Sequence, residues 1–121
     1  MTVLPEITAE ELRRKLEDGD DLVLVDALAP MVYAHSHLPG AINIPPSNVD
    51  RTRLAKRIPD LGTAIVVYCA NLDCDDSTST ADQLRALGYS NVTHYRGGKE
   101  EWKELGHPLE RDGKPYVPTE A

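Results

Sequence analysis

Two runs of the chain, Leu22-Val23-Leu24-Val25-Asp26 and Ala64-Ile65-Val66-Val67-Tyr68, are apolar almost without a break. They are too short for helices and too continuous for strands with one wet face, so each predicts a strand buried on both sides, as in a parallel sheet. Helical patterns lie between and around them. Thr8-Ala9-Glu10-Glu11 spells a capping box, in which a hydroxyl and a carboxylate satisfy the first free amides of a helix. That helix is expected to run to about Asp18, with Gly19 as its stop. Pro30 to Ala34 fits one helical turn, and Ala41-Ile42-Asn43-Ile44 a short strand closed by Pro45-Pro46. Val49 to Ile58 predicts a helix with a basic outer face and with Leu54 and Ile58 turned inward. Ser77 to Leu87 puts Ala81, Leu84 and Leu87 on one side of another helix, which Gly88 ends. Asn91 to Arg96 reads as a further strand, and Lys99 to Leu105 as a last short helix ended by Gly106. From Leu109 the chain turns polar, and an extended or loosely packed tail is expected.

Strands alternating with helices imply an α/β fold, a mainly parallel central sheet with helices on both faces. At 121 residues the chain has the length of one domain, and no internal repeat divides it. A formal net charge of −7 argues against a nucleic-acid partner, which needs a basic stripe. The longest apolar runs, such as AIVVYCA, fall well short of the roughly 20 residues that cross a bilayer, so no membrane partner is expected. The opening MTVLPEITAEE lacks the basic start and apolar stretch of a signal peptide, and a cytoplasmic location is expected. No heptad or exposed apolar stripe fixes an oligomeric state.

Both cysteines fall in one segment, VVYCANLDCDDST, where Cys69 ends the second apolar strand and Cys74 follows on the loop behind it. In a reducing compartment two thiols are catalytic, redox-active or free sooner than a structural framework. Reactive groups of parallel sheets collect at the carboxyl ends of the strands, and Cys69 sits at such an end, ahead of a helix. Loop amides and the helix N-terminus there are expected to lower its thiol pKa and favour the nucleophilic thiolate.

These residues resemble the rhodanese-like family of single-domain sulfurtransferases. The likeness runs from about Ile7 to Leu109, giving a domain over residues 1–109 and a polar tail over 110–121. It is carried by LVLVDA, by His37-Leu38-Pro39-Gly40-Ala41, by VVYC, by Ser77, Ala81, Leu84, Gly88 and Tyr89, and by Gly97-Gly98 with Trp102, Gly106 and Pro108. The resemblance implies a cysteine that takes a sulfane sulfur from a donor, holds it as a persulfide and yields it to a thiophilic acceptor. By position Cys69 is that nucleophile, and Ala70, Asn71, Leu72, Asp73, Asp75, Asp76 and Ser77 belong to the loop that cradles the persulfide with backbone N–H groups. The partners implied are a small sulfur donor or a protein persulfide and a thiol acceptor; no cofactor and no metal are called for.

The loop departs from the family pattern. Seven residues separate Cys69 from Ser77, where the common loop has five, and in place of a basic residue it offers Asp73, Asp75 and Asp76. At an effective dielectric of about 40 and roughly 7 Å, each carboxylate opposes the thiolate by on the order of 1 kcal/mol, comparable to a helix terminus. A dianionic donor such as thiosulfate is therefore expected to be disfavoured against a neutral or protein-bound one. Cys74 is a candidate resolving thiol, able to attack a persulfide or sulfenic acid on Cys69; the other reading is a small residue filling a gap in the longer loop. A lone C-x4-C falls short of a zinc site. Asp26 is a candidate support for the site, although a strand-end aspartate ordinarily caps the next turn. His37 is expected to fix the Leu-Pro-Gly turn, and His35, His94 and His107 to take surface or core roles. Gly97-Gly98-Lys99 lacks the other parts of a phosphate loop. Three functions compete: a sulfurtransferase using Cys69, a catalytically weak binding or redox-sensing module using Cys69 and Cys74, and a phosphatase of related fold. The last needs an arginine at the position Asp75 occupies.

Overall fold

The capping box at Thr8 forms as expected: the Glu11 amide donates to Thr8 Oγ1 at 3.1 Å, and the Thr8 amide donates to the Glu11 carboxylate at 3.1 Å. It opens α1, Ala9–Glu17, the first element of a computed structural model that describes residues 4–116. There follow β1 (Leu22–Asp26), α2 (Pro30–His35), β2 (Ile42–Asn43), α3 (Arg51–Arg57), β3 (Ala64–Tyr68), α4 (Asp76–Ala86), β4 (Val92–Tyr95) and α5 (Gly98–Glu104). A hairpin of β5 (Leu109–Arg111) and β6 (Lys114–Tyr116) completes them. The two apolar runs are β1 and β3, with the predicted bounds.

The four-stranded sheet has the order β2-β1-β3-β4, and every pairing in it is parallel. Pro5 to Ile7 runs beside β4, with the His94 amide donating to Pro5 O and the Ile7 amide to His94 O. β1 and β3 are central and therefore covered twice. On one face Val25, Ile65 and Val67 pack with Leu54 and Ile58 around α3 and with Ala81 and Leu84 of α4. On the other, Leu24, Val66 and Tyr68 pack with Leu12 of α1 and Trp102 of α5. Each large side chain so buried contributes roughly 1.5–3 kcal/mol.

Three elements differ from the sequence expectation. β2 keeps only two residues of Ala41 to Ile44, because Pro45 and Pro46 supply no amides to extend its ladder, and the chain turns into a 3-10 turn at Pro46–Asn48. α3 starts at Arg51, two residues late, since the Asp50 carboxylate caps it by accepting from the Thr52 amide at 3.2 Å. The polar tail is ordered up to Tyr116. Asp112 and Gly113 both take positive φ, 54° and 74°, which makes the two-residue turn that suits a hairpin. Leu109 is buried in the core, and His37 and Glu110 exchange two backbone hydrogen bonds at 3.0 and 2.8 Å. The expected boundary at residue 110 thus falls inside β5; the rest of the tail, 117–121, lies outside the described residues.

One buried polar link joins the two central strands to the chain behind β2. Tyr68 Oη donates to Asp26 Oδ2 at 2.7 Å and accepts from the Leu38 amide at 3.0 Å. Both Tyr68 and Asp26 are fully buried. Tyr68→Phe leaves a buried carboxyl and a buried amide each short of a partner, at an expected cost of about 1–3 kcal/mol. Urea unfolding checks this: the midpoint falls with the slope unchanged, whereas an unmoved midpoint would mean that the hydroxyl holds nothing together.

Candidate active site

Cys69 is the residue after β3, and the pleat turns it away from Tyr68, onto the face covered by α4. Its sulfur lies 3.3 Å from the Cys74 carbonyl oxygen and 3.2 Å from Ser77 Oγ, and only 2% of the residue is exposed. Ser77, in the first turn of α4, has no exposure and stands 2.7 Å from His94 Nε2. His94 reaches this point from β4, where it shares a face with Val92. Three elements thereby bring Cys69, Ser77 and His94 into one hydrogen-bonded row.

The loop between Cys69 and α4 closes partly on itself. Asn71 accepts from the Asp73 amide through Oδ1 at 3.0 Å and from the Cys74 amide through its carbonyl at 3.2 Å, while its side-chain amide donates to Glu100. Ala70 is half-buried, and Leu72, Asp73 and Asp75 are exposed on the rim, beside Asp76, which is not in the loop as expected but is the exposed first residue of α4. From the other side α5 clamps the start of the loop: the Lys99 and Glu100 amides donate to the Cys69 and Ala70 carbonyls, each at 2.9 Å. Gly98 makes this approach feasible, since a Cβ there would lie 2.6 Å from the Cys69 oxygen, and its φ is +71°.

Asp26 is not brought to Cys69. It lies on the Tyr68 face, where its Oδ1 accepts from the Leu28 amide at 2.8 Å, the turn-capping role, and Oδ2 from Tyr68. Burial pushes its carboxyl pKa up. The His37 ring turns back to α2 and not into the Leu-Pro-Gly turn, with Nδ1 3.0 Å from the Tyr33 carbonyl and its ring stacked on Tyr33. Among the described residues no group of three His, Cys, Asp or Glu side chains could hold a metal ion.

The sequence profile of the rhodanese-like domain matches residues 8–105, most of the chain. This chain belongs to the rhodanese-like family. The domain is 30% identical over 104 residues to a sulfurtransferase of Allochromatium vinosum, covering 86% of this chain and 92% of that protein. It is 29% identical over 108 residues to an uncharacterized protein of Synechocystis sp., covering 89% of this chain and 55% of that protein. The chain thus spans only about half the length of that relative, and 25% of another. A crystal structure of a Bacillus halodurans protein superposes with a TM-score of 0.82 at 25% identity, covering 90% of this chain and 78% of that one.

In this rhodanese-like domain the electrostatics of the thiol run opposite to the sequence expectation. Burial, and then neighbouring Cys74, push the Cys69 pKa up to about 11. The helix terminus does act on the sulfur, through the Ser77 hydroxyl and backbone N–H, but these favour the thiolate by less than desolvation disfavours it. Asp73, Asp75 and Asp76 are not among the largest influences on it. His94, taken from the sequence as a surface or core residue, completes the row; the one available signal was the period of two that turns positions 92 and 94 the same way. Burial lowers its pKa, so it is neutral at pH 7.

Cys69 is therefore expected to stay protonated at neutrality. In Cys74→Ser, where burial still dominates, the carbon-13 shift of Cys69 Cβ should titrate above pH 9, the ordinary cysteine range. A midpoint at or below neutrality would show that the helix terminus outweighs burial.

Proposed function

We propose that this domain transfers a sulfane sulfur through a persulfide on Cys69. The observation that carries the reading is the placement of Cys69 Sγ at the carboxyl end of the central strand, against the hydroxyl and amide of the first turn of α4. The sulfurtransferase name of the Allochromatium relative supports it. The Cys69 sulfur attacks the outer sulfur of a donor R–S–SH; the donor S–S bond breaks, R–SH leaves, and Cys69–S–SH remains. An acceptor thiol then attacks the terminal sulfur and restores the Cys69 thiol. The Ser77 hydroxyl and amide supply preorganised donors to the charged forms along this path.

The rim selects the donor. Asp73, Asp75 and Asp76 are exposed around the loop, and the nearby cation of Lys99 is turned to the Ser36 carbonyl at 2.9 Å. A dianion such as thiosulfate meets repulsion there, whereas a neutral or protein-bound persulfide does not. Incubation with a persulfide donor should add about 32 Da, one sulfur atom, to wild type and nothing to Cys69→Ser, as covalent catalysis requires. Asp73→Asn/Asp75→Asn/Asp76→Asn should raise kcat/KM for thiosulfate on the order of tenfold at low salt, leaving a neutral donor unaffected. Absence of the adduct removes the reading; an unchanged thiosulfate rate removes the role given to the rim.

A second reading, a redox-sensing pair, is favoured by one juxtaposition: the loop folds back so that the Cys74 carbonyl meets the Cys69 sulfur at 3.3 Å, and both thiols are free. Oxidation of Cys69 by a peroxide gives a sulfenic acid, which the Cys74 thiol attacks to form a disulfide and release water. Peroxide treatment should yield an intramolecular Cys69–Cys74 crosslink in wild type, whereas Cys74→Ser passes on to the sulfinic acid. Peptide mass spectrometry that finds no crosslink would end this reading.

A further inference from the structure

A sulfur nucleophile that is buried and protonated needs somewhere to put its proton. The Cys74 carbonyl at 3.3 Å lies within reach of that proton but cannot take it, and Asp73, Asp75 and Asp76 are turned out to solvent. The sulfur also meets Ser77 Oγ at 3.2 Å, which is 2.7 Å from His94 Nε2. Ser77 is closed to water and His94 nearly so, at 8% exposure. Nothing in the persulfide scheme above uses either residue to move a proton.

We infer that the Cys69 thiol is activated by a proton relay in which Ser77 passes its hydroxyl proton to His94 Nε2 while taking the thiol proton. The inference deepens the sulfur-transfer reading and rests on it for its biological purpose. One S–H bond and one O–H bond break, and one O–H bond and one N–H bond form, leaving a thiolate, an intact serine and an imidazolium. Attack on the donor then makes the new S–S bond, and the imidazolium proton is released through solvent to the leaving thiolate, so no net proton, oxidant or reductant is required. Ser77 touches the reacting sulfur, whereas His94 is a positioning residue that acts through it.

The groups facing this row set its working range. Glu6, bridged to His94 through the backbone, raises the imidazole pKa, and Arg96, two residues on and just past β4, lowers it; burial is the largest influence, and all three leave the ring neutral and able to accept at pH 7. On the sulfur the acting neighbours are Cys74 and Ser77. Between the two pKa values the fraction of the thiolate–imidazolium pair does not change with pH, because forming it moves a proton without exchanging one with solvent.

The test is the rate of Cys69 alkylation by iodoacetamide, followed by peptide mass spectrometry on the intact protein across pH. In wild type the rate should be flat from pH 7 to 9 and fall below the His94 midpoint, which proton NMR measures independently. In His94→Gln, which keeps an acceptor for Ser77 but takes no proton, and in Ser77→Ala, it should climb roughly a hundredfold across the same two pH units, as for a lone thiol of high pKa. A wild-type rate that climbs a hundredfold by itself overturns the relay, and this arm depends on no variant folding. So does a variant that keeps the flat profile, or one that loses the same factor at every pH. A flat profile without the sulfur adduct retains the relay and removes sulfur transfer, whereas an adduct with a steep profile removes the relay alone.

Discussion

The pleat of β3 is the constraint on which the rest of this structure depends. Buried on both faces, the strand must send successive side chains to opposite sides of the sheet. Tyr68 therefore goes to the α1 and α5 side, where it bonds Asp26 and the Leu38 amide, and Cys69 goes to the α4 side, where it meets Ser77. A slip of one residue would turn the phenol toward α4 and the thiol toward α1 and α5, each away from its partners. Five parallel pairings with β1, from Leu22↔Ala64 to Asp26↔Tyr68, and four with β4 hold that register.

The central strands were legible in the sequence because full burial leaves an unbroken apolar run, and α1 was legible because its cap is local chemistry. The hairpin was not, since its cause is two left-handed residues, Asp112 and Gly113, within a segment whose polarity suggests a tail. Asp-Gly between short strand-like pieces was the overlooked signal. The position of Cys69 could be read from the end of its strand, and Cys74 and Ser77 from their closeness in sequence. The sign of its pKa shift could not. Helix-terminus effects are visible in sequence order, whereas desolvation depends on how completely α4 and the loop close over the sulfur, and here that closure leaves 2% exposure. His94 was hidden for a related reason, because it comes from a strand 17 residues beyond Ser77 and only the sheet brings them together.

Membership of the rhodanese-like family accounts for the scaffold, while the loop gives this chain its individual character. The acids lie outside and the sulfur inside, and in the proposed scheme the two act at different stages: the rim on which molecules approach, the buried row on whether the thiol can react once they arrive. Charge on the surface is screened by salt within about 8 Å under physiological conditions, and the buried contacts are much less so. In that scheme donor choice and thiol reactivity are separable properties of one short segment.

The left-handed Gly98 has a consequence for reach. With the Cys69 and Ala70 carbonyls pinned from behind by the Lys99 and Glu100 amides, the backbone under the sulfur is a fixed post and not a swinging arm. Any group on the sulfur moves only by rotation about the Cα–Cβ and Cβ–S bonds. A molecule that reacts there must come to the post, so the shape of the visitor, and not the flexibility of the host, governs contact.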